Sequence, residues 1–180
     1  DNCVVHPAPG LLSGTLVNSV LAHCPNNSAL PRGGIVHRLD KDTTGLMVVA
    51  KSLEAHSSLV RQLQQRTVSR VYRAIVKGNF ISGGTVDAPI GRHPSARTKM
   101  AVAKASDTHG AKVAVTHYRI AERFAHHTDL TVKLETGRTH QKRVHMAHIK
   151  HPLIGDKTYN SRYQQISGVS KELDEVLRQF

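Results

Sequence analysis

Leu12, Leu16, Val20 and Cys24 recur every four residues, so residues 13–24 predict an amphipathic helix. A loop rich in Pro, Asn and Gly follows, from Pro25 to Gly34. Residues 35–39 and 46–50 are apolar and β-branched, and the polar run Lys41-Asp42-Thr43-Thr44-Gly45 separates them; they predict two strands around an exposed loop. Ser52 suits a helix N-cap, Glu54 falls in the first turn, and Ala55, Leu59 and Leu63 carry the helix to about Arg66. Val71 to Val76 reads as a strand and Gly83-Gly84 as a turn. Residues 99–105, 113–121 and 128–135 read as successive strands, the first two joined by a turn around Thr108-His109-Gly110. Residues 139–149 and 170–178 suit short helices, the former stopping before His151-Pro152. Strands come in runs and outnumber helices, which predicts an α+β fold with a mixed, mainly antiparallel sheet and flanking helices.

At 180 residues the chain suits one domain, 1–180, large enough to bury a core. The two cysteines, Cys3 and Cys24, exclude a disulfide scaffold or a Cys-rich zinc module. No apolar run is long enough to cross a bilayer, and the opening residues do not read as a secretory signal, so a cytoplasmic protein away from membranes is expected. Charge changes the picture most. The excess of 25 Lys+Arg over 13 Asp+Glu gives +12, spread along the chain rather than gathered in a tail, which favours a folded basic face and a polyanionic partner. Aromatic residues are 4%, too few for a surface that stacks many successive bases.

Two segments concentrate candidate chemistry. In His37-Arg38-Leu39-Asp40-Lys41-Asp42 a strand would deliver Arg38 and Asp40 to a loop on one face, with Leu39 on the other. A carboxylate at the mouth of a basic surface suits catalysis, but from spacing alone it reads as well as a salt-bridged strand end. In Leu134-Glu135-Thr136-Gly137-Arg138-Thr139-His140-Gln141-Lys142-Arg143 a strand passes through a glycine turn into a helix start rich in donors, able to hold phosphate or to pair with a buried carboxylate, or simply a basic solvated face. His145, His148 and His151 are spaced by three, with His140 and His126-His127 nearby; without a cysteine or an HExxH pattern they predict no metal site. Phosphate-loop, dinucleotide-binding and serine-elbow patterns are absent.

The run from His37 to Lys51 resembles the signature of the RluA/RluD-type pseudouridine synthases. The similarity continues through Ser69–Ala74, Gly84–Ile90, Arg92–Pro94, Ala114–Tyr118, Leu134–His148 and His151–Asp156, and so covers nearly the whole chain. It implies a uridine-to-pseudouridine isomerase acting on structured RNA, a ribosomal RNA stem-loop, without cofactor or metal and as a monomer. It also implies the roles. Asp40 matches the catalytic aspartate, which attacks ribose C1′ or removes the C2′ proton before the uracil detaches, rotates and rejoins through C5. Arg143, or alternatively Arg138, matches the arginine that keeps this carboxylate ionised. Tyr72 matches the tyrosine that stacks on the uracil and helps remove the C5 proton. Arg38 matches the residue that enters the RNA stack and assists flipping, and Leu134 the apolar residue that packs on the base. His37 and Arg138 join Arg38 and Leu134 as expected substrate contacts.

The chain departs from the family pattern at Lys142, where an apolar residue is usual in His-Gln-Ile-Arg; a lysine facing the core costs stability unless it snorkels. Both ends differ too, which suggests a catalytic domain shortened at both ends. A competing class is an RNA-binding or folding-assistance module without catalysis, and a third is a zinc hydrolase built on the histidines. The conjunction of Asp40, Tyr72 and Arg143 favours the isomerase, because binding alone does not need that aspartate.

Overall fold

The computed structural model describes residues 3–7, 10–104, 110–160 and 169–179. The chain divides into two compact units, Asp1–Val68 and Ser69–Phe180.

In the first unit helix α1 spans Leu16–His23. It starts later than the apolar spacing suggests because Thr15 caps it. The Thr15 hydroxyl accepts from the Asn18 amide at 3.4 Å, while the Thr15 amide donates to Asn18 Oδ1 at 3.0 Å. Two 3₁₀ turns, Pro25–Ala29 and Pro31–Gly34, occupy the expected loop. Helix α2, Leu53–Gln64, begins where Ser52 accepts from the Ala55 amide, as its sequence suggests. The two strands expected at 35–39 and 46–50 do not form as such. The segments meet at a single antiparallel bridge, Ile35 to Val49. Ile35 is buried, but Leu46 is 95% and Val48 48% exposed, so no continuous apolar face fixes a ladder between them.

The second unit holds β1 (Arg70–Lys77), β2 (Gly84–Asp87), β3 (Ile90–Arg92), β4 (Met100–Val102), β5 (Val115–Arg123), β6 (His127–Leu134), α3 (Gln141–His148) and α4 (Lys171–Gln179). A four-stranded sheet runs in the order β1-β6-β5-β2, and β3 pairs with β4 in a second ribbon. All these pairings are antiparallel, in keeping with the α+β expectation. Two strands were not evident from the pattern, β2 and β3, both too short to display alternation. Their presence changes the neighbours: β4 pairs with β3. The expected turn through Thr108-His109, and Ala105 at the end of the expected strand, lie outside the described residues.

Alternation along β1 points Ala74 and Val76 inward and Val71, Arg73 and Ile75 outward. The inner face packs with Val86, Leu130, Val132, Leu134 and Met146 of α3 into the main core, and Ile90, Ala114 and Val144 form a smaller one. Helix α3 therefore lies against the sheet through Val144 and Met146, which leaves its first turn to carry polar chemistry.

Candidate active site

The residues expected at the site fall into two sets. His37, Arg38 and Asp40 lie in the first unit, on the segment that follows the Ile35–Val49 bridge. The base of this loop is tightly built. Asn27, 1% exposed, donates from one amide group to the carbonyls of both Gly33 and Ala50, each at 2.9 Å. Gly34 has φ 85°, and a side chain there would collide with the Ala50 carbonyl, so this crossing requires glycine. Above the base, the Val48 amide donates to His37 Nε2 at 3.0 Å, tying the outgoing arm to the returning one. Asp40 is half-buried and opens a tight turn, its carbonyl accepting from the Thr43 amide at 2.9 Å. Arg38 is exposed. The local field is positive: burial, and after it the charges of Arg32 and Arg38, hold the His6 imidazole below its ordinary pKa.

Tyr72, Leu134, Arg138 and Arg143 lie in the second unit. Tyr72 sits on β1 opposite Val132 of β6 and packs on the main core, while its neighbours Val71 and Arg73 face outward, as strand alternation requires. Leu134 ends β6 and belongs to the same core cluster. Lys142 is buried at 8% exposure, and its ammonium rests 4.3 Å from the centroid of the Tyr72 ring. The lysine that breaks the family pattern thus sets its charge against an aromatic face, an attraction worth about 2 kcal/mol when desolvated.

The turn into α3 is held by hydrogen bonds that no sequence pattern announced. The buried Thr136 hydroxyl donates to Gln141 Oε1 at 2.6 Å and accepts from the Val115 amide. Gln141 Oε1 also accepts from the Arg138 amide, and its Nε2 donates to the Val115 carbonyl and the Thr116 hydroxyl. Thr116 in turn meets His145 Nδ1 at 2.8 Å, and His145 Nε2 meets the Ala88 carbonyl at 2.9 Å. Both ring nitrogens of His145 are therefore used inside the fold, which removes it from any metal-ligand role. His151 is similarly engaged, Nδ1 on the Lys77 carbonyl at 2.8 Å. His140, just before α3, adopts a left-handed φ of 56°. Gly137 leaves room for the Arg70 guanidinium, which a side chain there would displace.

The two arginines of this motif separate clearly. Arg138 donates from Nε to the Val113 carbonyl at 3.0 Å. Arg143 forks onto Asp156, Nε to Oδ2 at 2.7 Å and Nη2 to Oδ1 at 2.8 Å, with side chains only 11% and 3% exposed. The Tyr159 ring lies beside it, 5.0 Å from the guanidinium carbon. Burial pushes the Asp156 carboxyl up, but the Arg143 fork and the amides of Tyr159 and Thr158 outweigh it, so its pKa lies below the usual carboxylate value. Asp156 stood inside a segment that resembled the family, yet nothing in its spacing marked it as the partner of Arg143.

The fold is α+β, with Asp40 opening a tight turn in the first unit and the Lys142 ammonium over the Tyr72 ring in the second. The sequence profile of the RNA pseudouridylate synthases matches residues 4–148, and the chain belongs to that family. Among curated relatives, ribosomal large subunit pseudouridine synthase D of Pseudomonas aeruginosa is 60% identical over 177 residues, covering 98% of this chain and 54% of that protein. The protein of the same name from Escherichia coli K12 is 54% identical, covering 98% and 53%. The chain thus spans about half the length of these relatives. Among solved structures, human RNA pseudouridylate synthase domain containing 1 aligns with a TM-score of 0.69 at 27% identity, covering 93% of this chain and 66% of that one. Human RNA pseudouridylate synthase domain containing 4 aligns with a TM-score of 0.63 at 27% identity, covering 79% and 61%.

Proposed function

We propose that the chain carries the catalytic centre of an enzyme that converts uridine to pseudouridine in structured RNA, with large-subunit ribosomal RNA as the substrate. The observation that carries the reading is Asp40: a half-buried carboxylate on a tight turn, at the family's aspartate position inside the matched region. The relatives' names supply the substrate class. The net charge of +12 suits a polyanion.

In this reading the Asp40 carboxylate attacks ribose C1′ or takes the C2′ proton, and the N1–C1′ bond breaks with its electron pair leaving on the uracil. The base turns and C5 bonds to C1′ as the Asp40–C1′ bond breaks and its pair returns to the carboxylate, or, on the proton-removal route, as Asp40 gives its proton back to C2′. The C5–H bond then breaks, its pair forms C5=C6, N1 takes up a proton, and Tyr72 receives the C5 proton. Arg143 takes the family role of the arginine that keeps Asp40 ionised, and Asp156 fixes its guanidinium. Arg38 enters the stack as the nucleotide is extruded, Leu134 packs on the base, and Arg138 meets phosphate. His37 fastens the loop that bears Asp40. No cofactor enters these steps. In this reading the enzyme works as a cytoplasmic monomer.

The test is release of tritium from uridine C5 in a large-subunit ribosomal RNA transcript incubated with the chain. Release that persists after exhaustive EDTA treatment is expected. Release lost with EDTA and restored by zinc alone would contradict the cofactor-free chemistry.

A further inference from the structure

Arg70 opens β1 and stands in register with Leu134 of β6. Alternation along the strand puts its side chain on the same face as Tyr72, Ala74 and Val76, the face turned to the core. The guanidinium is seated on the turn into α3: a side chain at Gly137 would overlap its Nη1 and crowd its Cζ, so the missing Cβ makes the seat. Shape alone holds the group there. Among the described residues Arg70 has no hydrogen bond or ion pair, and its Nε is shut away from solvent without a partner. The other two arginines at this turn are committed, Arg143 to Asp156 and Arg138 to the Val113 carbonyl. A buried donor left unpaired lowers stability, and an apolar side chain would close the same volume without that cost.

We propose that Arg70 is a further catalytic residue, whose guanidinium receives the carbonyl oxygens of the detached uracil and holds the base while it turns. This inference rests on the reading given above, in which Leu134 packs on the base and Tyr72 meets it; Arg70 lies opposite the first and two residues before the second on the same strand face. When the N1–C1′ bond breaks, its electron pair leaves on the uracil, and the negative charge is shared among N1, O2 and O4. When C5 bonds to C1′, a ring electron pair forms the new bond and that charge is gone. The charge thus exists only between the two steps, on either route open to Asp40. A guanidinium donating to O2 or O4 is therefore worth more in the flanking transition states than against bound, neutral uridine. Arg70 donates hydrogen bonds and keeps all its protons throughout.

Single-turnover pseudouridine formation at saturating large-subunit ribosomal RNA transcript, measured with RNA affinity and its salt dependence, tests this in the unaltered chain, Arg70→Met, Arg70→Lys and Gly137→Ala. Methionine keeps an apolar stem on the strand face and removes the donors, and melting curves confirm folding. Arg70→Met should slow the reaction about a hundredfold with affinity changed by less than about twofold, because the charge that Arg70 meets is absent from bound uridine. Arg70→Lys keeps the cation without the fork and should be about tenfold faster than Arg70→Met. In Gly137→Ala the added methyl displaces the guanidinium, so the reaction should slow about tenfold, yet the same change should add less than about twofold to Arg70→Met. A normal rate at saturation in Arg70→Met, with weaker binding and a shallower salt slope, marks Arg70 as a phosphate contact and overturns the proposal. Equal losses in the Met and Lys proteins, with lowered melting points, mark it as packing and also overturn it. A fully active Arg70→Met beside an inactive Asp40→Asn overturns the role of Arg70 alone. An unaltered chain that forms no pseudouridine overturns the proposed function itself, and the role of Arg70 with it.

Discussion

Asp156 is a partner for Arg143 that spacing does not reveal. Two arginines in one motif were candidates to compensate a carboxylate, and their separation in sequence does not rank them. In the fold Arg143 lies in a desolvated fork with Asp156, whereas Arg138 donates to the Val113 carbonyl. A charge stripped of its partner in such a site is costly, more so than loss of the pair as a whole. Asp156→Ala should therefore lower stability by about 3 kcal/mol in urea unfolding, whereas Arg138→Ala should cost under about 1 kcal/mol. Lys142 makes the same point from the other direction. Its departure from the family pattern was visible in the sequence, but whether it snorkelled or met an aromatic face depended on β1 and α3 being brought together.

At the scale of elements, the helices and the long strands were legible because each carries its own periodicity or cap: Ser52 for α2, alternating burial for β1 and β6. Short strands were not. Gly84–Asp87 and Ile90–Arg92 are too brief to alternate, and their pairing is decided by distant partners, Val115–Tyr118 and Met100–Val102. The apolar segments beside Asp40 failed in the opposite sense. They have strand composition but form one bridge, because what organises them is the buried Asn27 amide and the left-handed Gly34. That dependence is testable. Asn27→Ala removes two buried hydrogen bonds and leaves the Gly33 and Ala50 carbonyls unpaired by it, so stability should fall by about 2 kcal/mol, and the amides of Ile35 and Ala50 should exchange faster. Unchanged exchange at those two amides would refute the staple.

For the molecule as a whole, two features follow from its titratable groups. His127 and His145 are buried, and burial is the first cause that sets both below the ordinary pKa of 6.5. Between their folded values and 6.5 the unfolded chain binds more protons than the folded one, so stability is full above 6.5 and falls as pH drops beneath it. The thermal midpoint should be lower at about pH 5.5 than at about pH 7.5, and the drop should shrink in His127→Phe, whose Nε2 has no hydrogen-bond partner among the described residues. Charge gives the second feature: RNA affinity should fall steeply and linearly in log salt, and a flat plot would exclude the expected phosphate contacts.

The central claim is that Asp40 does the chemistry rather than merely lining an RNA-binding surface, and replacing its carboxylate by an amide tests it most directly. With Asp40→Asn the chain keeps its shape and loses the nucleophile or base. Pseudouridine in a treated large-subunit ribosomal RNA transcript, counted by mass spectrometry of its nucleosides after labelling, should be formed by the unaltered chain. It should be absent with Asp40→Asn, while RNA affinity stays within about twofold. Pseudouridine formed by the purified Asp40→Asn protein at the unaltered rate would contradict the account.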